Sequence, residues 1–232
     1  MRVNAVIVAA GEGKRMGNKV PKIFLPLAGR PIILHTLDRF MTTKKVRKVI
    51  LVAAEKTVAR CRELIRSDRW LSHLECVVQA GGARRQDSVA QGLKRIDEDC
   101  EVVVVHDGVR PFISPRLIDR CVDLALKEGA VVVGIPVRDT IKVLSVGRRV
   151  HKTPPRDSLW QIQTPQAFRT EIIREAYDKA ERDGIEATDD AMLVEHLGRR
   201  VLVLEGQATN IKITVPEDLL FAEALLRARK AP

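Results

Sequence analysis

A carboxylate stands at the end of one of the most apolar runs in this chain. Val102 to Pro111 reads V-V-V-V-H-D-G-V-R-P, so Asp107 closely follows a run of valines. A buried carboxylate is costly unless it is paired or binds a metal ion, and Mg²⁺ is commonly held by one or two carboxylates together with substrate phosphates. We therefore predict that Asp107 binds Mg²⁺ and bridges it to a nucleotide, and that Arg110 clamps an anionic acceptor. The capping of a turn is the alternative role for Asp107.

A glycine-rich, basic segment follows the first apolar run. Ala9 to Gly17 reads A-A-G-E-G-K-R-M-G, and Pro21-Lys22 come next. Gly11 and Gly13 let backbone N–H groups approach phosphate oxygens. The spacing matches neither the dinucleotide fingerprint nor a Walker loop, which ends in G-K-[ST]. The segment therefore predicts a triphosphate-binding loop, with an ordinary basic surface loop as the alternative; its basic residues are Lys14, Arg15, Lys19 and Lys22.

A second glycine pair lies between these two motifs, in Q-A-G-G-A-R-R-Q-D-S-V from Gln79 to Val89. Gly81 and Gly82 permit close backbone approach to a ligand. The hydroxyl of Ser88 is predicted to cap a helix or to contact a base. Three shorter motifs follow, which are T-P-Q at 164–166, A-T-D-D at 187–190 and N-I-K-I-T at 210–214. In the last, strand-like run, Lys212 alternates to the face opposite its apolar neighbours.

Short β-branched runs alternate with amphipathic helical stretches along the whole chain, which predicts an α/β fold with a mainly parallel twisted sheet and helices on both faces. The predicted strands are Val3–Ala9, Val49–Ala53, Cys76–Gln79, Val102–His106, Val131–Ile135 and Val201–Leu204. The predicted helices are Pro31–Met41, Lys56–Ser67, Ser88–Ile96, Pro115–Glu128, Thr170–Asp183, Asp189–Leu197 and Pro216–Arg229. Parallel sheets bind ligands beyond the carboxyl ends of their strands, so the loops after Ala9, Gln79 and His106 are expected to share one crevice.

The stretch from Pro136 to Trp160 breaks this alternation and predicts a protruding two-stranded arm with a turn at Ser145 to Arg149. An isolated hairpin is only marginally stable in water. The arm is therefore expected to pack against a second subunit.

Composition limits the partners of the protein. A chain of 232 residues that is 45% hydrophobic can bury one large core, so residues 1–232 are expected to form a single domain. The net charge of +10 suits phosphate ligands, and only 3% of residues are aromatic, which disfavours nucleic-acid binding.

No apolar run is long enough for a membrane span, and no signal-peptide pattern is present, so we expect a cytoplasmic protein. The scattered cysteines, Cys61, Cys76, Cys100 and Cys121, are expected to be reduced.

Several motifs together closely resemble those of the 2-C-methyl-D-erythritol 4-phosphate cytidylyltransferases of the non-mevalonate isoprenoid pathway. They are A-A-G-E-G-K-R-M-G, P-K-I-F-L, H-D-G-V-R-P, V-R-D-T-I-K, T-P-Q and N-I-K-I-T-V-P-E-D, in order from about Val3 to Leu226. The resemblance implies a glycosyltransferase-A-like nucleotidyltransferase fold with a dimerisation arm over residues 136–160. It also implies a homodimer that uses Mg²⁺ and CTP to transfer CMP to a polyol phosphate.

The resemblance also implies roles for individual residues. Arg15 and Lys22 would contact the triphosphate and stabilise the transition state, Lys212 would orient the reacting phosphates, and Asp107 would hold Mg²⁺. The CTP-binding residues would be Ala9, Ala10, Gly11, Gly13, Gly82 and Ser88. The polyol phosphate would be held by Asp107, Arg110 and Thr188, with Thr140 and Arg156 of the partner subunit. The family often has an acidic residue at the position of Ala83, where base contacts would rest on the backbone.

The implied reaction is attack by a phosphate oxygen on the α-phosphorus of CTP. A phosphate monoester has a second pKa near 6, so it is largely ionised at neutral pH and needs no general base. Two alternatives remain open. Ribitol 5-phosphate cytidylyltransferases resemble this chain in the glycine loop, H-D-x-V-R-P-F and T-P-Q, although V-R-D-T-I-K favours the methylerythritol enzymes. A non-catalytic nucleotide-binding regulator is disfavoured by the full set of Arg15, Lys22, Asp107 and Lys212.

Overall fold

The computed structural model describes residues 2–11, 20–71 and 74–230, so the predicted ligand residues Gly13 and Arg15 lie outside the described residues. The strands are β1 (Val3–Ala9), β2 (Pro26–Leu27), β3 (Arg30–Pro31), β4 (Val46–Ala53), β5 (Cys76–Ala80), β6 (Val102–Asp107), β7 (Ala130–Pro136), β8 (Val143–Leu144), β9 (Val150–Lys152), β10 (Trp160–Arg169) and β11 (Leu202–Glu205). The helices are α1 (Ile32–Met41), α2 (Val58–Ser67), α3 (Arg85–Leu93), α4 (Pro115–Glu128), α5 (Thr170–Asp183), α6 (Asp190–His196) and α7 (Pro216–Lys230).

A seven-stranded sheet in the order β11-β7-β10-β6-β1-β4-β5 forms the centre of the fold. All its neighbouring pairs are parallel except those of β10, which runs antiparallel between β6 and β7. Valines of β6 alternate between two apolar layers, with Val102 and Val104 in one and Val103 and Val105 in the other. Helices α1, α2, α4 and α7 contribute to the first layer, and α3, α5 and α6 to the second. The predicted α/β class with helices on both faces is therefore confirmed.

Local signals explain why some helices match their predicted bounds. Helix α4 begins after Ser114, whose side chain accepts from the N–H of Leu117, and its first residue is Pro115. The helix ends at Glu128 and is followed by Gly129, whose φ of 90° lies in the region that favours glycine. Helix α5 also has the predicted bounds and is followed by Gly184 in the left-handed conformation.

The predicted start of α3 at Ser88 is wrong, because the helix begins three residues earlier at Arg85. The carboxylate of Asp87 accepts from the N–H of Arg84 at 3.0 Å and so satisfies a free donor at the helix start. The capping role predicted for Ser88 falls to Asp87. The hydroxyl of Ser88 instead donates to the carbonyl of Arg84 at 3.0 Å and accepts from the N–H of Gly82 at 3.2 Å.

Two segments near the crevice differ from the predictions. Strand β10 was not predicted, because T-P-Q contains a proline that cannot donate to a ladder, and its Gln166 and the preceding Gln163 are of a type that is mostly exposed. The ladder to β7 is irregular between Ile162 and Gln166, on either side of Pro165. The segment 210–214, which reads as strand-like, has no regular secondary structure.

The predicted two-stranded arm is confirmed. Strands β8 and β9 pair antiparallel, with Val143 opposite Lys152. The arm extends from the main sheet, because Trp160 at the start of β10 pairs with Pro136 at the end of β7. Among the described residues, no helix is both long and apolar enough to cross a membrane.

Candidate active site

A cavity of about 260 Å³ opens at the carboxyl ends of β1, β5 and β6. It is lined by Val8, Ala9, Ala10, Gly11, Lys22, Ile23, Gly82, Ala83, Arg84, Arg85, Ser88, Asp107, Val109 and Lys212. The three loops expected to share a crevice therefore do so. Of the predicted site residues, eight line the cavity: Ala9, Ala10, Gly11, Lys22, Gly82, Ser88, Asp107 and Lys212.

The side chain of Asp107 is surrounded by cations. One carboxylate oxygen lies 2.8 Å from Lys212 Nζ and 3.5 Å from Arg110 Nε, and the other lies 3.4 Å from Arg85 Nε. Burial alone would raise the pKa of Asp107, but these positive charges outweigh it and hold the pKa well below its usual range. Since the folded-state pKa is depressed, Asp107 contributes stability above its unfolded-state pKa, and that contribution is lost as the pH falls through the folded-state value. The carboxylate is therefore ionised at neutral pH and engaged in ion pairs.

A network of buried hydrogen bonds fixes the backbone beneath Asp107. The hydroxyl of Thr164 accepts from the N–H of Asp107 at 3.0 Å and contacts His106 Nδ1 at 3.0 Å. Burial lowers the pKa of His106 to about 4, so its ring is neutral at pH 7. Asn210 Nδ2 donates to the carbonyl of Thr164 at 2.8 Å, and the carbonyl of Asn210 accepts from Arg110 at 2.9 Å. These hydrogen bonds show that the motifs T-P-Q and N-I-K-I-T hold the backbone on which the site is built.

The glycine pair after β5 has a packing requirement. A Cβ added at Gly81 would lie 2.7 Å from Ser88 Oγ and 2.8 Å from the Ala10 side chain. One added at Gly82 would lie 2.4 Å from Asp87 Cβ. The two glycines allow the loop after β5 to lie against both α3 and the loop after β1. By contrast, a Cβ at Gly11 would meet no atom of residues 2–11, 20–71 and 74–230 within 4 Å.

Four predicted substrate contacts lie elsewhere. Arg110 is nearly buried beside Asp107 and is absent from the cavity lining. Thr140, Arg156 and Thr188 are exposed and do not belong to the lining residues. Arg156 donates to the carbonyl of Arg138 within the arm at 3.1 Å. A single chain therefore brings together the nucleotide-side residues that the structure describes, but not Thr140 and Arg156 of the arm.

Sequence reasoning missed Arg85, which lines the cavity and contacts Asp107. It also missed the partner of Arg85, since Arg85 Nη2 lies 2.8 Å from the buried carboxylate of Asp190. The available signals were the second arginine of A-R-R and the second aspartate of A-T-D-D. Neither motif indicates that the two side chains meet, because 105 positions separate them.

The donor set fits a magnesium ion that is shared with a nucleotide. Within residues 2–11, 20–71 and 74–230, no group of three or more His, Cys, Asp or Glu side chains could enclose a metal ion. Asp107 is a single carboxylate that faces a cavity with basic walls. Mg²⁺ commonly takes one or two protein carboxylates, with the remaining ligands coming from phosphates and water.

The sheet topology and the basic crevice at its carboxyl edge define an α/β protein with a site suited to phosphorylated ligands. Solved structures with this architecture include the 4-diphosphocytidyl-2C-methyl-D-erythritol synthase of Anaerococcus prevotii, with a TM-score of 0.86 and 33% identity over 97% of this chain and 96% of that one. The 2-C-methyl-D-erythritol 4-phosphate cytidylyltransferase of Thermus thermophilus superposes with a TM-score of 0.79 and 38% identity, over 98% of this chain and 100% of that one.

Sequence comparison identifies the family. The model of the 2-C-methyl-D-erythritol 4-phosphate cytidylyltransferase family matches residues 3–228. The relative of that name from Geotalea uraniireducens is 46% identical over 98% of both chains, and the one from Alkaliphilus metalliredigens is 44% identical over 99% of this chain and 95% of its own. The chain belongs to the 2-C-methyl-D-erythritol 4-phosphate cytidylyltransferase family.

Replacement of Thr164 by valine tests the network beneath the site. Thr164→Val leaves the buried N–H of Asp107 without its acceptor, so the free energy of unfolding should fall by about 1–3 kcal/mol. Urea unfolding at pH 7 measures this. Thr170→Val is a matched control, because the buried Thr170 hydroxyl has no hydrogen-bond partner beyond a weak contact to the Cys100 thiol among the described residues. Equal losses in the two variants would contradict the supporting role of Thr164.

Proposed function

We propose that this protein transfers CMP from CTP to 2-C-methyl-D-erythritol 4-phosphate, giving 4-diphosphocytidyl-2-C-methyl-D-erythritol and pyrophosphate. The observation that carries the proposal is the ionised Asp107, paired with Lys212 in a crevice walled by glycine-rich backbone. Membership of the cytidylyltransferase family supports the same reaction. Ala9, Ala10, Gly11 and Gly82, with the Ser88 hydroxyl, are the proposed CTP contacts; Gly13 belongs to this set but lies outside the described residues.

The chemistry requires placement of anions and neutralisation of their charge. The acceptor phosphate attacks the α-phosphorus in line, and pyrophosphate leaves. Since a phosphate monoester is largely ionised at neutral pH, the site needs no general base. Lys22 and Lys212 supply positive charge at the crevice, and Arg15 is proposed to join them on the triphosphate.

We propose Mg²⁺ as the metal, with Asp107 as its protein ligand. When bound, Mg²⁺ neutralises phosphate charge and orients the triphosphate. The buried position of Asp107 supports this assignment, since the strand end and Thr164 hold its backbone in place. Lys212 Nζ contacts the same carboxylate, so its ammonium group lies beside the proposed metal ligand and would contact the reacting phosphates there.

The acceptor side is proposed to be completed by a second copy of the chain. Arg110 and Thr188 would hold the polyol phosphate together with the partner subunit's Thr140 and Arg156. The arm that carries the last two exposes large apolar side chains, with Val146 96% exposed and Val150 60% exposed. A two-stranded hairpin of this kind gains stability by packing on another surface. These features support a homodimer, and the use of CTP and a phosphorylated metabolite supports a cytoplasmic enzyme.

Comparison of two acceptors tests the substrate assignment. A site built around particular hydroxyls leaves buried polar groups unpaired when another polyol enters, so kcat/KM for 2-C-methyl-D-erythritol 4-phosphate should exceed that for ribitol 5-phosphate by at least about a hundredfold. Pyrophosphate release with CTP and Mg²⁺ measures both values. Equal efficiency, or a preference for ribitol 5-phosphate, would overturn the acceptor and leave cytidylyl transfer in place. If no pyrophosphate is released with either acceptor, the proposed cytidylyl transfer is wrong.

Replacement of Asp107 tests the metal site. Asp107→Asn removes the charge that places the ion, so kcat should fall at least about a hundredfold, and more Mg²⁺ should be needed for half-maximal rate. Asp183→Asn is the matched control, because Asp183 is exposed and pairs only with side chains on α5 and α6 among the described residues. Circular dichroism establishes that both variants are folded. An Asp107→Asn enzyme within about threefold of wild type would refute the assignment.

Mixed dimers test the contribution of the arm. Arg156→Ala and Lys22→Ala should each be inactive alone, whereas their heterodimer contains one intact composite site. Mixing the two should therefore restore up to about a quarter of wild-type activity, because random exchange makes half the dimers mixed, each with one working site of two. Native mass spectrometry of differently tagged subunits verifies exchange. If exchanged dimers recover no activity, Arg156 does not act across the interface.

A further inference from the structure

A chain of buried polar contacts leads from the crevice to helix α5. Arg85 Nε lies 3.4 Å from Asp107, and Arg85 Nη2 lies 2.8 Å from Asp190. The second oxygen of Asp190 accepts from the hydroxyl of Tyr177 at 2.6 Å. The Asp190 side chain is 1% exposed and lies in the protein interior, whereas that of Arg85 is 26% exposed and reaches the crevice.

Charge compensation makes Arg85 a requirement for this arrangement. A buried carboxylate is destabilising unless a cation and hydrogen bonds replace its water. Arg85 provides the cation for Asp190, and Tyr177 provides a hydrogen bond. Burial lowers the pKa of Arg85, but the charges of Asp190 and Asp107 outweigh it and raise the pKa, so the guanidinium stays charged.

The shape of the guanidinium lets one side chain serve two carboxylates. Its N–H groups lie in one rigid plane and point in different directions within it. Nε can therefore face Asp107 while Nη2 donates to Asp190. A lysine ammonium at this position would keep the charge but would be a single point on a flexible stem. A bridge between two fixed carboxylates therefore needs arginine, whereas simple neutralisation of a phosphate does not.

The bridge joins two walls of the site to helix α6, which lies outside the cavity lining. Arg85 is the first residue of α3, directly after the loop that carries Gly82. Asp107 ends β6, and Asp190 begins α6, two residues after Thr188. The bridge therefore couples the position of the Asp107 side chain to the positions of α3 and α6.

We propose that Arg85 is a positioning residue for the transfer reaction, which holds the Asp107 carboxylate in its working place by anchoring it to Asp190. This inference rests on the proposed function of Asp107. It differs from the roles of Lys22 and Lys212, which act on the phosphates. Loss of Arg85 lowers kcat because Asp107 is displaced, while the walls that bind the nucleotide remain.

A double-mutant cycle between Arg85 and Asp190 tests the proposal. Perturbing a partner of a metal ligand typically costs 10–100-fold, so Arg85→Gln should lower kcat by about 30–100-fold and Asp190→Asn by about tenfold. Because the two residues act as a unit, the double variant should lie within about threefold of Arg85→Gln. The KM for CTP should change less than about threefold in all of them. Arg85→Lys should recover less than about threefold, since it cannot bridge both carboxylates.

A binding measurement separates position from turnover. Mn²⁺ binding in the presence of α,β-methylene-CTP, followed by electron paramagnetic resonance, should weaken about tenfold in Arg85→Gln. Arg95→Gln is the matched control, because Arg95 is exposed just beyond the end of α3 and bonds to Gln79. Thermal unfolding establishes that each variant is folded. If Arg85→Gln does not fold, the kcat, the KM for CTP and the Mn²⁺ affinity of Arg85→Lys and Asp190→Asn are judged by the same expected changes.

The outcomes separate this proposal from the function on which it rests. An inactive wild-type enzyme would refute the function. If the wild type is active, three results would show that Arg85 contacts the substrate directly. They are losses of kcat that multiply in the double variant, a raised KM for CTP, and full rescue by Arg85→Lys. Wild-type activity of Arg85→Gln would refute any role.

Discussion

The arrangement at the carboxyl edge of the sheet depends on one carboxylate that stays charged where little water reaches it. Removing Asp107 from water disfavours its charge, and three neighbouring cations reverse that preference. Each cation comes from a different segment, with Arg85 from α3, Arg110 from the turn after β6 and Lys212 from the segment before α7. The buried charge of Asp107 is compensated by all three cations only when these segments are folded against one another. The geometry of the crevice therefore depends on the folded positions of all three segments.

The parallel sheet makes this convergence possible. Strands buried on both faces need apolar side chains on both, which leaves polar groups to gather where the strands end. In β6 the four valines divide between the two apolar layers, and Asp107 is the first acidic residue beyond them. Neighbouring parallel strands end at the same edge, so the loops after β1 and β5 meet the same space. Helix α3 can approach closely because glycines occupy the contact points at 81 and 82.

Local patterns predicted the parts of the molecule whose cause is local. Apolar runs located β1 and β6, and helical spacing located α4, whose ends the structure shows to be capped within a turn by Ser114 and Gly129. The glycine motifs and H-D-G-V-R-P located the crevice. Strand β10 was missed because its residues Gln163 and Thr164 are buried through hydrogen bonds to distant segments, which composition does not reveal. The pairing of Arg85 with Asp190 depends on how α3 and α6 pack, and no local pattern encodes that distance.

Strand β10 also has a consequence for the order in which the chain folds. Strands β1, β4, β5 and β6 are contiguous in the sheet and come from the first half of the chain, so they can assemble as it emerges from the ribosome. Strand β7 follows next in sequence, yet it reaches β6 only through β10. Until residues 160–169 are synthesised, β6 keeps an unpaired edge and the N–H of Asp107 lacks the Thr164 hydroxyl. A nascent chain that stops short of β10 therefore carries an open, valine-rich edge, which is the kind of surface that chaperones protect.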